Sequence, residues 1–293
     1  MNFDETFNQT LREAMMNKRP IVTLLTDFGN ADGFIGVMKG VMLQIAPDIH
    51  FVDITHELPA FSLSAAAFLN SWSYGYFPPG TVHLCVVDPG VGTQRRALIV
   101  ETQGHTFIAP DNGLLSPVLS LTGERTIISA TDPKYWLSKV SYTFHGRDIF
   151  SPLAAHIARG VSISVLGPQI NDPVMLPCDP PSITPNCIEC HIRYIDHFGN
   201  LITDLTRSRF DHWAAQNGCE FGSVEIHLDG VVINGVSKTY GVHKPGALAA
   251  VFDGYDCLEI AVTQGNASQQ LGLSVDRAVT VKPATTSMGV WNS

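Results

Sequence analysis

Ile21-Val22-Thr23-Leu24-Leu25-Thr26-Asp27-Phe28-Gly29 opens on a β-branched and leucine run and closes on an Asp next to a glycine. That is the pattern of a buried strand delivering a polar residue into a turn. Downstream, Phe34, Val37, Met38, Val41 and Ile45 share one helical face, and Pro47 stops the helix. Phe51 to Ile54 reads as a second strand, and Ser62 to Tyr76 as a small-residue helix ended by Pro78-Pro79-Gly80. Thr81 to Val87 is a third strand, running into Asp88-Pro89-Gly90-Val91-Gly92. A β-α-β-α-β order predicts an α/β unit with a mostly parallel sheet covered by helices. Ala97 to Glu101 and Thr106 to Ile108 add strands, and Asp148 to Arg159 adds a helix. Ligands of such sheets bind beyond the carboxyl ends of the strands. Asp27 and Asp88 both stand there.

The pattern changes across a Pro-rich stretch containing Pro177, Pro180, Pro181 and Pro185, the composition of a linker. Short alternating runs follow at Cys190 to Ile195, Ser223 to Leu228, Leu248 to Phe252, Leu258 to Val262 and Ala278 to Val281. They predict a smaller, mainly antiparallel β-barrel or sandwich with little helix beyond Arg207 to Gln216. The expected organisation is an N-terminal extension (1–20), an α/β domain (21–176), a linker (177–186) and a β-barrel domain (187–293).

Composition narrows the function. With 45% hydrophobic residues the chain can bury a substantial core. No apolar run approaches the roughly 20 residues of a membrane helix. Met1 to Pro20 carries Asp4, Glu5 and Glu13 without the apolar block of a signal peptide, so a cytoplasmic location is expected. The net charge of −9, from 27 acidic against 18 basic residues, argues against a nucleic-acid partner and is compatible with a cationic small substrate. Among the six cysteines only Cys187-Ile188-Glu189-Cys190 has a metal-like spacing. No second pair completes a zinc site, which favours two ordinary cysteines on one strand.

Four clusters pack polar residues between glycines at element ends: Thr26-Asp27-Phe28-Gly29, Asp88 to Arg96, Phe144-His145-Gly146-Arg147-Asp148, and Asp196-His197-Phe198-Gly199-Asn200. None is a phosphate-binding loop or a nucleophile elbow. Each alone has a plain structural explanation. Asp27 could shape a turn, Asp148 suits the N-cap of the following helix, Arg147 could pair with a surface carboxylate, and a single His145 could be an ordinary polar residue. Asp53 and His56 suggest a metal, but two donors without a third do not make a site.

Together the clusters resemble one family along nearly the whole chain: the S-adenosylmethionine hydrolases (hydroxide adenosyltransferases), relatives of fluorinase and chlorinase. The likeness rests on Leu-Thr-Asp-Phe-Gly (25–29), Val-Asp-Ile-Thr-His (52–56), Val-Val-Asp-Pro-Gly-Val-Gly (86–92) and Ala-Pro-Asp-Asn-Gly (109–113). It continues through Phe-His-Gly-Arg-Asp (144–148), Asp-His-Phe-Gly-Asn (196–200) and Leu-Glu-Ile-Ala-Val (258–262). The resemblance implies an α/β domain followed by a β-barrel, no cofactor or metal, and a homotrimer with active sites between subunits. It implies hydrolysis of S-adenosyl-L-methionine to adenosine and L-methionine by water attacking the 5′ carbon.

Residue by residue, the resemblance implies a catalytic triad of Asp88, Arg95 and His145, with Arg96 as competitor for the arginine role. Asp27 would grip the ribose hydroxyls, Phe61 would lie against the substrate, and Phe144 and Gly146 beside the reacting carbon. Asp196 would bind the methionine ammonium, Phe198 would stack on adenine and Asn200 would hydrogen-bond its edge. Gln264, Asn266 and Ala267 fall in the stretch contacting adenine and the methionine carboxylate. The halogenating relatives place a tyrosine at Asp88, a threonine at Val91 and an arginine near Thr263-Gln264, all missing here. Three rivals follow: a halide-using adenosyl transferase, a non-catalytic S-adenosylmethionine or adenosine binder, and a metal-dependent hydrolase using Asp53, His56 and His145.

Overall fold

Four strands carry the first core. β1 (Ile21–Thr26), β2 (His50–Thr55), β3 (Val82–Val86) and β5 (His105–Pro110) run parallel. β4 (Ala97–Thr102) and β6 (Arg125–Ser129) extend the sheet antiparallel, in the order β2-β1-β3-β5-β4-β6. The hairpin joining β4 to β5 turns on Gln103 and Gly104, both at positive φ, the conformation that matches strand twist. The computed structural model describes residues 19–284 except 122, 178 and 179. The expected N-terminal extension therefore falls outside the described residues except for Arg19 and Pro20. The chain divides into two compact units at Leu176/Pro177.

α1 (Phe34–Ile45) packs on the sheet through Ile35, Met38 and Met42, while Phe34 and Val37 are exposed. This corrects the expected face. Nearly every residue of the helix that is not glycine is apolar, so two stripes offset by one position fit the helical period equally well. α2 (Leu63–Ser73) begins at Ser62, whose hydroxyl accepts the Ala65 N–H, and covers the sheet with alanines 65–67. Each fully buried large side chain here contributes about 1.5–3 kcal/mol.

The expected helix from Asp148 proves to be two elements. Gly146–Phe150 forms a π-turn closed by Ser151 N–H to the Gly146 carbonyl, and α3 (Ser151–Ala158) continues it. Pro152 has no N–H to donate, and the Asp148 carbonyl instead accepts the Leu137 N–H. Asp148 is thus not the N-cap. It is fully buried, and its carboxylate accepts the Ser141 N–H and the Arg147 guanidinium. Arg147 accordingly pairs with a buried carboxylate rather than a surface one.

The second unit is wholly antiparallel among its described strand pairs. β8 (Ile188–Ile195), β9 (Leu201–Thr206), β10 (Val224–Leu228), β11 (Val231–Asn234), β12 (Leu248–Phe252), β13 (Cys257–Val262) and β14 (Ala278–Pro283) form the order β11-β10-β14-β8-β9-β13-β12. A bridge between Ser237 and Val251 brings the two edges together, so the sheet is nearly closed. α4 (Arg207–Asn217) plugs the core with Phe210 and Trp213 and ends at left-handed Gly218. The Pro-rich stretch opens the second unit. Within it β7 (Ser182–Ile183) pairs with β8, and Trp213 Nε1–H donates to the Thr184 carbonyl. Cys187 lies one residue before β8 and Cys190 is buried within it.

One close approach fixes the loop after β3. Gly92 has φ +77°, and a Cβ there would lie 2.2 Å from the Tyr142 carbonyl oxygen. Gly80 has a similar φ of +88° but open space around it. Gly80→Ala is expected to cost the strain of a left-handed residue, about 1–2 kcal/mol. Gly92→Ala adds displacement of the Tyr142 backbone and should cost about 3 kcal/mol or more. Equal losses in chemical denaturation would contradict the proposed packing.

Candidate active site

Asp88 leaves the sheet two residues after β3, and Arg95 returns to it two residues before β4. Between them the chain curls on itself, with Val91 N–H donating to the Asp88 carbonyl and Thr93 N–H and hydroxyl to the Gly90 carbonyl. Arg95 Nε–H lies 3.0 and 2.9 Å from the two Asp88 oxygens, and its terminal N–H donates to Oδ2. The same nitrogen donates to His145 Nδ1 at 2.8 Å. Both charged side chains are nearly enclosed, Arg95 at 10% and Asp88 at 5% exposure, and the guanidinium lies over the Phe150 ring. Removing either partner of such a pair strands a buried charge and costs about 3–5 kcal/mol.

Because a guanidinium only donates, Nδ1 of His145 carries the lone pair and the neutral ring's proton is assigned to Nε2. Burial, followed by the Arg95 charge, holds the His145 pKa below the ordinary imidazole value, with Asp88 opposing. The ring is therefore neutral at neutral pH, and a hydrogen bond to the Ser141 backbone also holds it. Arg96 is engaged elsewhere, binding buried Asp111 and exposed Asp172.

Asp27 Oδ2 accepts the backbone N–H of Phe61 at 2.8 Å. Phe61 has φ +65° and a 69% exposed side chain, a strained conformation for a bulky residue. Strain of this kind persists only where the surroundings enforce it, and it concentrates at functional sites. Gly146 lies under an edge-to-face cluster of Phe28, Phe34 and Phe144, where an added Cβ would meet the Met38 sulfur and two of the rings at 3.3–3.4 Å. Asp53 and His56 serve the sheet: His56 bonds Thr26 and pairs with Asp53, which also pairs with Lys39. Among the described residues no three His, Cys, Asp or Glu side chains cluster closely enough to hold a metal ion.

In the second unit Asp196 staples its own turn. Oδ1 accepts the N–H groups of Phe198 and Asn200, and Oδ2 accepts the Asn200 side-chain amide. Phe198 projects into solvent. These three residues and Gln264, at φ +54°, border one cavity of about 620 Å³. Asn266 caps α5 (Ala267–Leu271) by accepting the Gln269 N–H. It also packs against Gly199 so tightly that no Cβ fits there. Ala267 is fully buried, so its side chain is out of reach of a ligand. Tyr240, Asp253, Glu259 and Thr263 also border the cavity and were missed. Glu259 was detectable as a charge inside the apolar run Leu258 to Val262; the other three carry no local signal.

Residues 22–167 match the family described as SAM hydroxide adenosyltransferase N-terminal domain, and residues 190–280 its C-terminal domain. A relative from Salinispora tropica named (R)-S-adenosyl-L-methionine hydrolase is 32% identical, over 88% of this chain and 96% of its own. Its namesake from Thermus thermophilus is 35% identical over 87% and 96%. A fluorinase from Nocardia brasiliensis is 25% identical over 73% and 80%. The crystal structure of an uncharacterized conserved protein from Thermotoga maritima superposes with a TM-score of 0.82 at 32% identity, covering 89% of this chain and 99% of that one. On both halves of its sequence, the chain belongs to the SAM hydroxide adenosyltransferase family.

Proposed function

We propose that this enzyme hydrolyses S-adenosyl-L-methionine to adenosine and L-methionine, acting on the (R) sulfonium epimer named for its relatives. The observation that carries the mechanism is the Arg95 guanidinium shared between Asp88 and His145. The sulfonium is already an activated leaving group, departing as a neutral thioether without protonation. What the reaction needs is a nucleophilic oxygen held in line with the 5′ carbon and relieved of a proton.

The three side chains divide that work. Arg95 holds the neutral His145 ring beside Asp88, and its guanidinium would steady an oxygen gaining negative charge. Among the described contacts Asp88 Oδ1 accepts from Arg95 Nε alone, which leaves a lone pair for the proton of the attacking water. As the C–O bond forms, that proton passes to Asp88 and the C–S bonding pair moves to sulfur. A carboxylate oxygen beside the nucleophile accepts a hydrogen bond from a water but offers nothing to a halide, which has no proton to donate. Asp27 would hold the ribose hydroxyls through the oxygen not bonded to Phe61, with Phe144 and Gly146 beside the reacting carbon. Asp196, Phe198, Asn200 and Gln264 would bind the substrate ends, and a homotrimer would bring the two sets of residues together across subunits.

Incubating purified protein with each epimer and separating the products by chromatography tests the activity. Equal amounts of adenosine and methionine over many turnovers, faster from the (R) epimer and without 5′-halo-adenosine in high chloride, are expected. Tight binding without products would contradict it. The bridge predicts that Arg95→Lys fails almost as completely as Arg95→Ala, each lowering kcat by about 10²–10⁴-fold. A single ammonium cannot span both oxygens of Asp88 and Nδ1 of His145. A lysine variant within tenfold of the parent would refute the shared role.

A further inference from the structure

Three residues past His145, the carboxylate of Asp148 is sealed from solvent at 0% exposure. Its Oδ2 accepts the Ser141 backbone N–H at 2.8 Å and an Arg147 N–H at 3.1 Å, and its backbone carbonyl accepts the Leu137 N–H at 2.9 Å. One residue thus pins the segment 137–141 at both ends. Ser141 passes the constraint on. Its hydroxyl accepts the Phe144 N–H at 3.0 Å, and its backbone hydrogen-bonds the His145 ring. The next carbonyl, that of Tyr142, is the one against which Gly92 of the Asp88–Arg95 loop packs. This short segment therefore joins Asp148 to all three members of the group. Stability alone does not call for an ionised side chain here. A buried ion pair often gains no more than apolar residues of like volume, and a backbone N–H is satisfied by a neutral acceptor.

We infer that Asp148 is a positioning residue of this site, acting through Ser141 and the segment 137–144 to hold the His145 ring against Arg95. This inference rests on the reading of Asp88, Arg95 and His145 as the catalytic group. An aspartate suits the task because both of its oxygens accept, and both of its neighbours, the Ser141 N–H and the Arg147 guanidinium, donate. An asparagine turns an amide N–H toward one of them and loses that hold. The Arg147 guanidinium kept in place by this carboxylate lies over the Phe144 ring, 5.1 Å from its centroid. The same carboxylate therefore also steadies the aromatic wall beside Gly146.

The charges facing His145 are Arg95 and Asp88 from the β3–β4 loop and Asp148, paired with Arg147, from the π-turn. Burial first, then Arg95, lowers the His145 pKa, while Asp88, the Ser141 backbone and Asp148 act the other way. Burial pushes the Asp148 carboxyl up, but its hydrogen bonds to Arg147 and Ser141 outweigh this and leave it below the usual carboxylate range. It is therefore ionised at neutral pH. Removing its charge and loosening Ser141 both disfavour the imidazolium, so Asp148→Asn should lower the pH at which His145 gains its proton. Arg147→Gln removes a positive charge, keeps the Ser141 bond and should raise that pH.

The full-length parent and variants are compared by NMR titration of isotope-labelled histidine, with the His145 signal assigned from its loss in His145→Gln, and by steady-state hydrolysis of S-adenosyl-L-methionine. Asp148→Asn should lower the His145 midpoint by about half a pH unit or more. It should lower kcat by about 10–100-fold, the scale of a misplaced catalytic group, with KM within about threefold. Arg147→Gln should move the midpoint the opposite way. Gly80→Ala, a destabilised loop variant outside this network, should keep the parent midpoint and kcat. An unmoved midpoint in Asp148→Asn, midpoints moving together in the two variants, or a kcat loss no larger than in Gly80→Ala would overturn the inference. If Asp148→Asn does not fold, Arg147→Gln decides alone: a raised midpoint supports the link and an unmoved one overturns it. Midpoints that shift as expected in a protein whose parent form releases no adenosine would leave the link standing and remove the hydrolase reading instead.

Discussion

A carboxylate and a guanidinium nearly removed from water must find each other, and here that requirement organises the loops beyond β3 in the first unit. Asp88 and Arg95 lie on the two arms of one loop, so their pairing closes it. A second N–H of the same terminal nitrogen of Arg95 then captures His145 from a segment fifty residues downstream. Around this link the structure makes several local sacrifices. Gly92 surrenders its Cβ to let the loop touch the Tyr142 backbone, and Gly146 to Phe150 widens into a π-turn. Phe150 in that turn forms the apolar floor beneath the guanidinium. None of these features improves packing by itself. Each becomes intelligible once the guanidinium has to be held between two acceptors.

The same economy appears at Phe61 and Gln264, two exposed or cavity-lining residues at positive φ. Two of the other positive-φ residues that are not glycine, Gln103 and Asp229, precede a glycine in a hairpin turn where that conformation serves chain reversal. For Phe61 no such reason exists, and a carboxylate, Asp27, holds its backbone in place. The two units also differ in electrostatic character. The first balances each buried carboxylate of its loop cluster with arginine, Asp88 with Arg95, Asp111 with Arg96 and Asp148 with Arg147. The cavity of the second leaves its carboxylates without cations.

The alternation of strands and helices up to β5 and the change of architecture after the Pro-rich stretch were legible because each has a local signature, whereas the grouping of Asp88, Arg95 and His145 came from the family resemblance. β-branched runs mark strands, proline marks the boundary, and polar residues between glycines mark loops at strand ends. The face of α1 was not legible, since an almost uniformly apolar helix carries no phase. Asp148 was misassigned because an acidic residue before a helix and one inside a π-turn look alike in sequence, and only the missing donor of Pro152 separates them. The resemblance favours Arg95 over Arg96, and Arg96 points away to Asp111 and Asp172, as adjacent residues near a strand point to opposite sides. Asp253 and Thr263 were invisible for a different reason: only the folding of the second unit brings them to its cavity.

The central claim is that the Asp88–Arg95–His145 group delivers an oxygen from water to the 5′ carbon of an adenosyl sulfonium. Turnover in water enriched with oxygen-18, followed by mass spectrometry of both products, addresses it directly. The account predicts one labelled oxygen in adenosine, located at the 5′ hydroxyl, and none introduced into methionine. Unlabelled adenosine from an active, purified sample would contradict it.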